Sequence, residues 1–191
     1  MLNNSTAPYR IIMGIDPGTS ITGYGIIKCR GKKIQLVTHG VIRLGKQEVS
    51  HAIKLKRIYQ RVSSLVQAFS PKEMALESPF HGKNIQSMLK LGRAQGVAMA
   101  AGINHGLPIF EYAPRKVKQA VTGNGSASKQ QVAKMLERLL NCELDTKFLD
   151  ASDGLAVAVC HFYQANALSN NKSYKNWADF IKDNPNRIKK R

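Results

Sequence analysis

Ile11-Ile12-Met13-Gly14-Ile15-Asp16-Pro17-Gly18 decides how the fold begins. An apolar run halted by Asp-Pro-Gly predicts a buried strand whose last residue is an acid at the mouth of a turn. Thr22 to Lys28 and Ile34 to Leu44 predict two more strands, set off by the Gly-containing segments around Gly18 and Gly31, so an antiparallel meander opens the domain. Asp16 by itself is favoured as a turn former before Pro-Gly. It gains interest from three other acids in unusual settings.

Glu77 ends the short apolar run Met74-Ala75-Leu76 and precedes Ser78-Pro79, as Asp16 ends the first strand. Asp150 and Asp153 open the segment Asp150-Ala151-Ser152-Asp153-Gly154-Leu155-Ala156-Val157, which reads as a largely buried helix. Three residues apart on a helix, their Cβ atoms lie ~5–6 Å from each other on one face. Asp150 alone fits an N-cap or a first-turn acid. Asp153 lies one turn further in, before an apolar stretch where an unpaired carboxylate is costly to bury. A shared cation relieves all four.

The chain is otherwise strongly basic. Its 191 residues carry 29 Lys and Arg against 12 Asp and Glu, a net charge of +17, which points to a polyanionic partner without naming the chemistry. That length suits one compact domain. No stretch approaches the ~20 apolar residues of a membrane span, and the first residues lack a signal peptide's apolar region, so no membrane contact and a cytoplasmic location are expected. Cys29, Cys142 and Cys160 show no paired or ligand-like spacing, which argues against disulfides and a zinc site. Cys160-His161 is expected to pack within its helix.

Between these landmarks, His51 to Phe69 has apolar residues at helical period and stops at Ser70-Pro71. Asn84 to Asn104 predicts a long helix rich in Gly and Ala, suited to core packing or a dimer seam. Leu107 to Ala113 predicts a strand, Pro114 to Val121 a short basic helix, and Ser128 to Leu140 an amphipathic helix capped by Ser126 or Ser128. The acid-bearing helix runs from Asp150 to Ala167. The expected organisation is one folded domain over 1–168 and a basic, flexible tail over 169–191. These elements describe an α/β protein with a mixed five-stranded sheet flanked by helices, the ribonuclease H-like fold. On such a sheet Asp16 and Glu77 emerge at neighbouring strand ends, and the last helix brings Asp150 and Asp153 over them.

The stretch from Gly14 to Gly25, Ala75-Leu76-Glu77-Ser78-Pro79-Phe80, the stretch from Gly82 to Gly96, and Asp150-Ala151-Ser152-Asp153 resemble, in order and spacing, the motifs of the RuvC family of bacterial Holliday-junction resolvases. The likeness runs from Ile11 to Ala167. It implies a Mg²⁺-dependent endodeoxyribonuclease, acting as a homodimer, that makes paired symmetric nicks in four-way junction DNA during homologous recombination and DNA repair. It also implies partnership with a branch-migration complex of a junction-binding protein and a ring-shaped motor. Asp16, Glu77, Asp150 and Asp153 fall on the family's catalytic, metal-binding acids. Phe80 falls on an aromatic that enters the opened junction, and Lys118 and Lys129 on basic residues that meet DNA. Two departures stand out: Ser20 replaces an Arg common in relatives, and Ser78-Pro79 replaces a Gln-hydrophobic pair, a change that bears on cut-site preference.

The residues support a DNA-binding reading independently. Arg115, Lys116 and Lys118 crowd one short stretch and Lys129 follows a Gly-rich turn, as a phosphate-binding rim requires, although a lone lysine there is usually plain surface. Phe80, followed by His81-Gly82-Lys83, sits on a basic loop where it either stacks on an unpaired base or folds back into the core. Phosphodiester hydrolysis calls for charge stabilisation on the attacking water and the departing 3′-oxygen, which two divalent ions ~3.5–4 Å apart provide. Mg²⁺ prefers oxygen ligands, and Mn²⁺ can substitute. The rival readings are a ribonuclease acting on RNA:DNA hybrids, a non-catalytic junction-binding module, and an actin-like kinase, for which the chain lacks a second lobe.

Overall fold

A computed structural model describes residues 8–45, 50–79, 84–144 and 149–170, together with Ile181. Its elements follow in the order β1 (Arg10–Asp16), β2 (Ile21–Arg30), β3 (Lys33–Arg43), α1 (His51–Phe69), β4 (Glu73–Glu77), α2 (Ile85–Asn104), β5 (Ile109–Tyr112), α3 (Pro114–Thr122), α4 (Lys129–Leu140) and α5 (Leu149–Asn170). The five strands form one sheet in the order β3-β2-β1-β4-β5. The first three are the expected antiparallel meander, and β4 and β5 run parallel to β1. The sheet is therefore mixed, with helices on both faces.

Strand alternation decides which face each side chain meets. On β1, Met13 and Ile15 pack with Tyr24, Ile58, Val62 and Leu76 in the cluster beneath α1 and α2. Ile12 packs instead with Ile27, Ala75 and Leu155 in the cluster beneath α3, α4 and α5. Both faces of β1 are thus covered, which explains its continuous apolar run. Carrying the alternation forward sets Asp16 on the α5 face, in step with Ile12 and Gly14. The same count on β4 sets Ala75 and Glu77 there as well.

Helix α5 is buried on nearly every side from Ala151 to Phe162, because the sheet lies beneath it and α3 and α4 cover it. A helix enclosed in this way needs no polar stripe. Gly14, Gly23 and Gly25 let it lie against the strands. A Cβ on Gly14 would stand 2.3 Å from the carbonyl oxygen of Gly154, and one on Gly23 would stand 2.0 Å from that of Asp150. Only bare backbone at these positions admits the N-terminal half of α5.

The expected strand Leu107 to Ala113 is shorter at both ends. The Leu107 amide closes the end of α2 by donating to the Gly102 carbonyl, and Ala113 already serves as N-cap of α3, with Pro114 next. On α4 the cap is Ser128, in a reciprocal capping box with Gln131. All three cysteines are free. Among the described residues no helix is long and apolar enough to cross a membrane.

His161, expected simply to pack, joins a buried polar chain. Its Nδ1 accepts from the Tyr112 hydroxyl at 2.7 Å, and its Nε2–H donates to Glu73 Oε2 at 2.7 Å. Burial pushes the imidazole below the usual histidine range, against the pull of Glu73. The neutral ring thereby satisfies both neighbours and ties α5 to β4 and β5.

Candidate active site

Asp16 is the last residue of β1 and Glu77 the last of β4, and these strands are parallel neighbours with Ile15 beside Leu76. The two carboxylates therefore leave the sheet side by side, at the carboxyl ends where α/β sheets bind their ligands. Asp150 and Asp153 occupy the first turns of α5, above the same strand ends. Four acids from three separated segments stand near enough that Glu77, Asp153 and Asp150 each act on Asp16 through space.

Their environment suits a bound cation. Burial, then repulsion from Glu77 and Asp153, pushes the Asp16 carboxyl up to about 8. Burial and Asp153 likewise push Glu77 up to about 7, although Lys129 and Lys118 oppose the shift. Burial also raises Asp153, against the hydrogen bond and charge of Lys129. Asp16 and Glu77 thus hold protons near neutral pH, Asp153 is raised as well, and the three form an oxygen-only donor set that suits a hard divalent ion. Among the described residues no three His, Cys, Asp or Glu side chains already stand at the spacing of an occupied metal site.

Lys129 lies among them. Its Nζ donates to Asp153 Oδ2 at 2.5 Å and to Asp150 Oδ1 at 3.3 Å. Burial works against its charge, but the bonds to Asp153 and Asp150 outweigh that and hold the ammonium above the usual lysine range. A cleft of about 600 Å³ opens over the acids, with Asp16, Glu77 and Asp153 in its floor and Arg115, Lys118 and Lys129 in its walls. A basic-walled cleft on an acidic floor admits a phosphodiester while keeping charge available for metal. A second cavity of about 120 Å³, bounded by Pro17, Ser78, Leu91 and Gln95, reaches Asp16 and Glu77 from the α2 side.

Comparison with known proteins fits this arrangement. The sequence model of the family described as "Crossover junction endodeoxyribonuclease RuvC" matches residues 12–161. The chain belongs to the RuvC family. Curated RuvC relatives include those of Cytophaga hutchinsonii, 54% identical over 94% of this chain and 88% of the relative, and Porphyromonas gingivalis, 54% identical over 94% and 97%. Thermus thermophilus RuvC, solved in complex with a Holliday junction substrate, superposes with a TM-score of 0.77 at 29% identity, covering 84% of this chain and 97% of that one. The ribonuclease H-like fold expected from the sequence is the RuvC fold. The family's activity is hydrolysis of DNA at a crossover, and divalent-metal dependence goes with it.

Of the other residues singled out, Arg115 is exposed, Lys118 is half-buried, and both line the cleft. Phe80 and Lys83 lie outside the described residues. Sequence reasoning treated Lys129 as a DNA contact and missed its bonds to the α5 acids, because partners 21 and 24 residues away leave no local pattern. It also missed why Gly14 and Gly23 are glycines. The signal was the small residue at every second position facing α5, which alternation counting could have exposed.

Proposed function

We propose that this chain resolves four-way DNA junctions by paired, symmetric, metal-dependent nicks, serving homologous recombination and DNA repair. The observation that carries this reading is the meeting of Asp16, Glu77 and Asp153 beneath a cleft walled by Arg115, Lys118 and Lys129, with Asp150 bonded to Lys129 beside them. We assign those four acids as the catalytic set and as ligands for two Mg²⁺ ions, with Mn²⁺ able to substitute. Bound there, such ions supply charge stabilisation for the attacking water and the departing 3′-oxygen. The chain's part is to hold the carboxylates on a rigid sheet and helix, seat the backbone phosphates on Arg115 and Lys118, and limit water through the cleft walls. Asp16, fixed at a strand end and felt by the other three acids, would be the central ligand of such a site. Phe80 and Lys83, just beyond Glu77 in sequence, are assigned to the opened junction, Phe80 by stacking on an unpaired base.

The protein acts as a homodimer, because a two-fold junction needs two equal sites. Exposed Ile85, Leu89 and Ile103 on α2, with open space around Gly92 and Gly96, form a single stripe that supports a helix seam. A cytoplasmic location, partnership with the branch-migration complex, and a nuclease domain over 1–168 followed by a basic tail over 169–191 complete the reading.

Strand cleavage of a synthetic four-way junction, beside linear duplex and RNA:DNA hybrid and with or without Mg²⁺, tests it. Paired metal-dependent nicks confined to the junction are expected, and Phe80→Ala should slow them and alter their dependence on the central sequence. Cutting of the hybrid would point to a ribonuclease, and tight junction binding without nicks to a binding module.

A further inference from the structure

The Lys129 ammonium stands between the two acids of α5, 2.5 Å from Asp153 Oδ2 and 3.3 Å from Asp150 Oδ1. Lys129 is the first residue of α4, where the helix dipole disfavours a cation, so its own helix does not hold the charge there. The acids do. Asp153 is 15% exposed in its side chain and Lys129 is 50% exposed, so a buried carboxylate is neutralised by a side chain with one end in solvent. Lysine is a compact charge on a flexible stem, free to exchange partners without moving backbone. The wall that carries Lys129 also carries Arg115 and Lys118, facing the space a DNA backbone would enter.

We propose that Lys129 is a displaceable resident cation: it and a divalent ion exclude one another at Asp150 and Asp153, and ion entry releases the ammonium into the cleft, where it meets a DNA phosphate. This rests on the reading that the four acids hold divalent ions. In the DNA-free protein Lys129 then weakens metal binding by competing for the same oxygens. Because one side-chain movement serves both ligands, metal and DNA each strengthen the other's binding by the same factor.

Mn²⁺ calorimetry on the full DNA-free chain tests the first half, using wild type, Lys129→Gln, Lys118→Gln and Asp153→Asn. Lys129→Gln should bind Mn²⁺ roughly 3–10-fold more tightly than wild type, since a charge-assisted contact to a mostly buried acid has been removed. Lys118 acts on Glu77 and Asp153 through space. Lys118→Gln should therefore tighten binding distinctly less. Equal tightening in both variants, or none in Lys129→Gln, overturns displacement. Asp153→Asn separates the two readings: if it weakens Mn²⁺ binding while Lys129→Gln gains nothing, the metal site stands and this inference falls. If Asp153→Asn binds Mn²⁺ like wild type, the metal-site reading falls and takes the inference with it. Fluorescence anisotropy with linear duplex, verified uncut on a gel, tests the second half. Mn²⁺ should tighten duplex binding by wild type more than by Lys129→Gln, and an equal factor in both overturns the release.

Discussion

Asp16 and Glu77 retain protons at pH values where ordinary carboxylates have lost them. Unfolded, they titrate near 3.8 and 4.5, and in the metal-free fold at about 8 and about 7. Between those values the folded protein binds more protons than the unfolded chain. Their contribution to stability is therefore full below the unfolded values and is lost progressively as pH rises through about 7 and about 8. Metal affinity should rise across the same window, because binding releases those protons. His161 acts in the opposite sense, its depressed pKa removing stability as pH falls below 6.5. A wild-type melting curve would thus mix two trends, whereas the difference from Asp16→Asn isolates one. In chelator, Asp16→Asn should be ~0.5–2 kcal/mol more stable than wild type at pH 8 and nearly equal at pH 5, as expected when a strained functional carboxylate is neutralised. Denaturant unfolding at both pH values reads the difference, and a wild type more stable at pH 8 would contradict it. At this scale the sequence was legible wherever an acid ended an apolar run, as with Asp16 and Glu77. It was silent on Lys129, whose meaning depends on a helix far along the chain.

At the scale of elements, the site is a matter of how closely α5 approaches β1 and β2. The meander, the helices α1 and α2 and the acid pair on α5 were readable because alternation, helical period and a three-residue spacing are local. Which face of α5 met the sheet was not, since a helix buried all round carries no stripe. Contact between Gly23 and Asp150 fixes that face in the fold. Gly23→Ala should accordingly push the first turn of α5 outward, with a stability loss of ~1–3 kcal/mol typical of overpacking. The acids would separate, so Mn²⁺ affinity should fall along with stability even though no ligand has changed. Calorimetry at a temperature where the variant remains folded would check this, and an unaltered affinity would show that the approach of α5 does not set the site.

For the whole molecule, the proposed homodimer is what would turn one site into two coordinated ones. The α2 stripe from Ile85 through Leu89 to Ile103 presents apolar surface beside backbone that a second helix can approach closely. Leu89→Asp should yield a monomer in sedimentation velocity and convert paired nicks into slow single ones. A variant that stays dimeric and nicks in pairs would remove α2 from the interface. The sequence suggested this seam through its Gly and Ala content but could not separate it from core packing, because Ala94, Ala98 and Ala101 on the opposite face are buried.

Asp16→Asn and Asp153→Asn, each compared with wild type on one labelled four-way junction in Mg²⁺, provide the most direct measurement, with binding read by gel retardation and nicking by denaturing gel. The account predicts junction affinity equal to or tighter than wild type, since negative charge facing phosphate is removed, with nicking lowered on the order of 10²–10³-fold or more. Undiminished Mg²⁺-dependent nicking in both variants would contradict it.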